Sequence, residues 1–96
     1  MKELSSIKSI LVKHIDCDRN EVYYFGSRAR KNNRENSDLD ILIHDDSPIA
    51  PEIVTMLVED FEESNLPFKV DLVFRSRITN EFFEKIKKDL VKIEFP

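Results

Sequence analysis

The sequence has 96 residues, 41% hydrophobic and 35% charged, which suits one small domain spanning 1–96 with a modest core and a well-solvated surface. It carries a formal charge of −4 and a single glycine, Gly26, where ordinary usage of ~7% would supply about seven. A Walker phosphate loop needs two glycines and a Rossmann fingerprint three, so both are excluded, and the net acidity argues against stable nucleic-acid binding. The negative charge is unevenly spread: residues 1–34 have eight Lys/Arg against four acids, residues 35–68 have ten acids and no Lys/Arg, and residues 69–96 have seven bases against five acids.

The N-terminal segment is too polar for a signal peptide, and no run of about 18 apolar residues follows it. Leu4, Ile7, Leu11 and Ile15 recur at three- and four-residue steps, the stripe of an amphipathic helix that should end near Asp16. His14 on that helix reads as structural or surface, since the only other histidine, His44, is thirty positions away and no zinc helix can be built. Cys17 permits no internal disulfide and suits a reducing compartment, here the cytoplasm; Asp16 and Asp18 beside it should raise its thiol pKa.

Glu21 to Phe25 is short, aromatic and β-branched and predicts a buried strand that stops at Gly26. The polar, basic residues 27–37 connect it to a second strand, Leu39 to His44, in which Leu39, Ile41 and Ile43 share one face and Asp38, Asp40 and Leu42 the other. After Ser47-Pro48, the apolar residues Ile53, Val54, Leu57, Val58 and Phe61 mark a helix with Pro51 in its first turn, ended by Asn65 and Pro67. Its acidic end (Glu59, Asp60, Glu62, Glu63) opposes the helix dipole and is either solvated or covered by a basic partner. Phe68 to Phe74 is a third strand, apolar except for Lys69 and Asp71. Thr79 is a good N-cap, with Ile78 and Phe83 spaced as a hydrophobic staple, for a last helix running to about Leu90. Val91, Ile93 and Phe95 alternate as a short strand or as an apolar strip docked on a partner. The resulting class is α+β: helices packed on a small mixed sheet of three to four strands.

The chemistry concentrates between Gly26 and Asp40. A chain leaving a strand at a residue without a side chain lets a phosphate approach the backbone, and Ser27 at the start of a short helix would add a hydroxyl and free N–H groups. Arg28, Arg30, Lys31 and Arg34 place four positive charges within seven residues. Asp38 and Asp40, two apart on a strand, would hold their Cα atoms ~6–7 Å apart on one face. Such carboxylates repel unless a cation lies between them, and all-oxygen donors suit Mg²⁺ or Mn²⁺. Asp71 completes a triad if the third strand lies beside the second, and two ions could then serve an in-line displacement. An Asp-x-Asp alone is usually a solvated strand edge; its distance from Gly-Ser and the strand-borne Asp71 set this one apart.

Gly26-Ser27, ten residues, Asp38-Leu39-Asp40 and a later strand-borne Asp71 resemble the signature of the DNA polymerase β-like nucleotidyltransferase superfamily. The fuller Gly-Ser-Arg-Ala-Arg followed by Ser-Asp-Leu-Asp-Ile, in a short chain, is similar to its minimal nucleotidyltransferases, the MntA-like antitoxins of HEPN-domain toxins. Lys31 stands where the family commonly has glycine. The resemblance implies that Gly26 and Ser27 hold the terminal phosphates of a nucleoside triphosphate, with Arg28 and Arg30 as further contacts. It implies that Asp38 and Asp40 bind two divalent ions, Mg²⁺ or Mn²⁺, and that Asp71 completes the coordination and orients or deprotonates an acceptor hydroxyl. The implied reaction is transfer of a nucleoside monophosphate, AMP from ATP, to a partner-protein hydroxyl, in a hetero-oligomer with a HEPN-type toxin and away from membranes. The competing readings are an antitoxin that neutralises by complex formation alone, or transfer to RNA or a small molecule.

Overall fold

The computed structural model describes residues 2–26 and 38–96. The elements run α1 (Leu4–His14), β1 (Glu21–Phe25), β2 (Leu39–His44), α2 (Pro51–Glu62), β3 (Val70–Phe74), a 3-10 turn (Arg75–Arg77), α3 (Asn80–Lys87) and β4 (Val91–Ile93). The strands form one mixed sheet in the order β3-β2-β1-β4, parallel between β2 and β3 and antiparallel elsewhere. The α+β class with a four-stranded sheet is therefore observed. The C-terminal alternation resolves as a strand: Ile93 pairs with Val22 and is buried.

The two sheet faces are covered differently. Alternation along β2 sends Leu39, Ile41 and Ile43 to one side, where they join Ile7 and Leu11 of α1, Leu57 and Phe61 of α2, and Val22, Phe74 and Ile93 in the main core. Seven of these, Ile7, Leu11, Val22, Leu39, Ile41, Ile43 and Leu57, have no solvent exposure. At ~25 cal/mol per Å² of apolar surface removed from water, this layer is the principal source of stability. Across the helix pair, His14 Nε2 and Asp60 Oδ2 lie 2.5 Å apart and Lys13 Nζ is 3.5 Å from the same oxygen, so part of the acidic end of α2 is met from within the chain. The hydrogen bond with His14 holds the Asp60 carboxyl below its ordinary range, and Lys13 adds to the effect.

The opposite face is smaller. Phe25, Leu42 and Ile86 are buried there, with Tyr23, Val73, Ile78, Phe83 and Leu90 packed around them. Helix α3 starts as its sequence predicts: Phe82 N–H donates to Thr79 Oγ1 at 3.1 Å, and Ile78 and Phe83 pack against the same buried group. Before it, the 3-10 turn is fixed by Asp45, which is 4% exposed and accepts hydrogen bonds from Ser76 N–H (2.9 Å) and Ser76 Oγ–H (2.6 Å).

Several boundaries differ from expectation for identifiable reasons. Helix α1 stops at His14, and Asp16 instead folds the next turn by accepting from Asp18 N–H and Arg19 N–H. Helix α3 ends at Lys87, where Asp89 N–H to Ile86 O and Leu90 N–H to Lys87 O close a turn leading into β4. Strand β3 begins at Val70 rather than Phe68. Among the described residues, no helix is long and apolar enough to cross a membrane.

Candidate active site

Three of the acidic and glycine positions singled out in the sequence meet at one corner of the sheet. Strand β1 ends at Phe25, which is the register partner of Asp40 on β2; Asp40 is in turn the partner of Asp71 on the parallel strand β3. Gly26 follows Phe25 directly and has φ +80°, a left-handed conformation that a residue with a side chain adopts only at a cost. Asp38 lies one residue before β2, so it flanks the strand rather than belonging to it. Its neighbour Leu39 donates its N–H to Lys69 O at 2.9 Å, which ties the entrance of β2 to the chain just ahead of β3.

Pleat parity assigns the face. Asp40 alternates with Ile41 and lies on the side of Leu42; Asp71 lies on the side of Val73, the partner of Leu42. Leu42 and Val73 belong to the smaller cluster under α3, so the two carboxylates occupy the part of that face beyond the helix. Asp40 is half-buried and its carboxyl is pushed above the ordinary range, first by burial and then by the negative charges of Asp71 and Asp38. Asp40 thus feels the charge of both other acids. Among the described residues, the cation paired with Asp71 is Lys69, its Nζ 3.8 Å from Asp71 Oδ1. Nothing in the apolar strand pattern marks Lys69, which lies just ahead of β3, as this contact.

The donors are all carboxylates, of the hard type that suits Mg²⁺ or Mn²⁺, and their mutual repulsion is the condition a divalent cation relieves. They are neighbours on the backbone, yet among the described residues no three His, Cys, Asp or Glu side chains converge closely enough to hold a metal ion. The donor chemistry fits such an ion, while the oxygen atoms are spread. Ser27, Arg28 and Arg30, with Lys31 and Arg34, lie outside the described residues.

The other reactive groups are elsewhere. Cys17 is half-buried and its thiol is pushed up to about 11, by burial first and then by Asp16 and Asp18, so it is a poor nucleophile near neutral pH. The ring of His44 packs edge-on against Phe83 at 5.7 Å, with the Arg75 guanidinium 4.4 Å from the same ring, a structural cluster at the far end of β2.

Comparison with known proteins agrees with this arrangement. Residues 4–95 match the family model described as Nucleotidyltransferase domain. A Methanocaldococcus jannaschii protein provisionally named a protein adenylyltransferase is 37% identical over 99 residues, covering 97% of this chain and all of the relative. The MntA protein of Haemophilus influenzae, also provisionally named a protein adenylyltransferase, is 34% identical over 97% of this chain and 80% of its own length. The protein adenylyltransferase MntA of Thermococcus cleftensis is 30% identical, with 97% and 98% covered. In three dimensions the fold is similar to a chain in a toxin–antitoxin crystal structure with AMP-PNP, at a TM-score of 0.74 and 21% identity, covering 93% of this chain and 70% of that one. By its match over nearly the full length and by these relatives, the chain belongs to the nucleotidyltransferase domain family, among the short MntA-like members.

Proposed function

We propose that this nucleotidyltransferase is a protein adenylyltransferase, using Mg²⁺ or Mn²⁺ to transfer AMP from ATP to a hydroxyl of a partner protein, and that it acts in the cytoplasm as the antitoxin of a HEPN-type toxin. The observation that carries the reading is the register pairing of Asp40 with Asp71 beside the turn at Gly26. Relatives named as protein adenylyltransferases support the acceptor class, and the similar fold in a toxin–antitoxin structure with AMP-PNP supports the nucleotide and the partner.

In this reading the acceptor oxygen forms a bond to the α-phosphorus while the bond from that phosphorus to the β-phosphate oxygen breaks, and pyrophosphate leaves. Asp38 and Asp40, with Asp71, are the residues that would hold the divalent cation, which supplies charge neutralisation at the phosphates and the attacking oxygen. Asp71 orients the acceptor hydroxyl and takes its proton. Lys69, just ahead of β3, meets the charge of Asp71 before substrate arrives. Gly26 and Ser27 receive the terminal phosphates, with Arg28 and Arg30 as additional contacts. Rate enhancement then comes mainly from positioning and electrostatic neutralisation.

A second reading, neutralisation by binding alone, is favoured by a groove of about 790 Å³ along β3, lined in part by Val54, Val58, Leu66 and Leu72, with Met56 and Val58 exposed on the adjoining helix. The test is label transfer from ATP labelled at the α-phosphate to the product of the adjacent gene. Transfer that disappears in an Asp38→Ala/Asp40→Ala variant supports catalysis. Full protection of cells by that variant, with no label transferred by the wild type, favours binding alone.

A further inference from the structure

Gly26 invites an explanation in terms of the ligand, since a missing side chain lets phosphate approach the backbone. The packing gives it a different task. A Cβ built on the Gly26 backbone would overlap Asp40 Oδ2, and the next nearest atoms are Asp40 Cγ at 3.4 Å and Asp40 Cβ at 3.7 Å. All three nearest neighbours belong to one side chain. The space that any other residue would fill at position 26 is where the Asp40 carboxylate lies.

We propose that Gly26 is a positioning residue for Asp40: by leaving that space open at the exit of β1, it sets the direction in which the Asp40 carboxylate points. The inference rests on Asp40 being a cation-holding group, as proposed above, and it deepens that reading. The physical argument turns on which atom yields. The obstacle to a Cβ is the far end of a flexible side chain rather than backbone, so a substituted protein can relieve the overlap by rotating Asp40. The fold then survives while the carboxylate leaves its place. Rotation also meets resistance, because Asp71 lies across the strand pair and its like charge already acts on Asp40. A larger residue at 26 therefore forces the two acids into a different arrangement without removing either of them.

This task is separable from phosphate contact. The probe is Mn²⁺ alone, with no nucleotide, titrated into the purified protein and followed by electron paramagnetic resonance of the free ion. Wild type, Gly26→Ala, Gly26→Asn and Asp40→Asn are compared, each checked by circular dichroism for its fold. Asparagine tolerates a positive φ, so it separates the effect of the Cβ from that of backbone strain. The expected result is a loss of Mn²⁺ affinity of about tenfold or more in both Gly26 variants, the scale typical of disturbing a group that orients a ligand.

A second measurement does not depend on the metal. In an Asp40→Ala background the carboxylate is gone, so Gly26→Asn should lower the melting temperature less than it does in the wild-type background. Equal penalties in the two backgrounds would overturn the proposal, as would unchanged Mn²⁺ affinity in both Gly26 variants of a protein whose wild type binds the ion. A wild type that binds Mn²⁺ no better than Asp38→Ala/Asp40→Ala overturns the underlying cation-site reading itself, and is recognised by that baseline.

Discussion

The two faces of the sheet obey different rules. Under α1 and α2 the residues are aliphatic or aromatic, largely sealed from water and mutually supportive. Beyond α3 on the other face, Asp40 is held against the negative charges of Asp71 and Asp38, and a glycine takes a backbone angle that other residues adopt only at a cost. The first region carries stability and tolerates no cavity; the second works against stability locally and is retained by the folded framework around it. A variant can therefore be assigned to a face by whether it changes melting, chemistry or both.

The largest separation is expected from Asp38→Ala/Asp40→Ala. Label transfer to the partner should fall by at least about a thousandfold, while the melting temperature stays level or rises. Next is Leu57→Ala on the sealed face, where deleting a fully buried side chain should cost about 2–5 kcal/mol in denaturant unfolding. If enough folded protein remains, its transfer rate per folded molecule should be unchanged; a selective loss of activity would break the division between the faces. Thr79→Ala tests the smaller face without touching an acid: losing the cap on Phe82 N–H should cost about 1 kcal/mol, read from the urea midpoint.

The smallest effect sharpens the contrast most. Asp40→Asn removes a charge from the acidic corner and should raise stability near neutral pH, the reverse of an ordinary core substitution. The pH dependence has a definite sign. Because the folded-state carboxyl of Asp40 is raised, its protonated form favours folding at acid pH, below the unfolded value, and that contribution is lost as pH rises through the folded value. Paired melts of wild type and Asp40→Asn should agree in acid and diverge toward neutrality, with the variant the more stable. Convergence at neutral pH would mean that the acids do not strain the fold.

The periodic elements were the legible ones. Strands Glu21–Phe25 and Leu39–His44 stand where their apolar pattern and bounding polar residues indicate, and Pro51 opens α2. The 3-10 turn at Arg75–Arg77 was not legible: three residues carry no period, and the group that fixes it, Asp45, is 31 positions away. The acids themselves are plain in the sequence, but the opposition of Asp40 and Asp71 depends on a parallel register set through the α2 crossover, which local pattern cannot specify. For the same reason the packing of Gly26 on Asp40 is invisible in one dimension. The separation of fourteen residues says nothing about which side chain fills the missing Cβ.

Strand β3 is an edge strand anchored unevenly. Phe74, at its C-terminal end, is 5% exposed and belongs to the main core, whereas Val70 and Asp71 at the other end are only partly covered. Local opening of such a strand proceeds from its loose end toward its anchor, so amide exchange should slow along β3 from Val70 to Phe74. Asp71 lies at the loose end. The spacing between the two register-paired acids is thus the first thing that breathing of β3 changes, and Phe74, three residues along and facing the opposite side of the sheet, limits how far that motion runs.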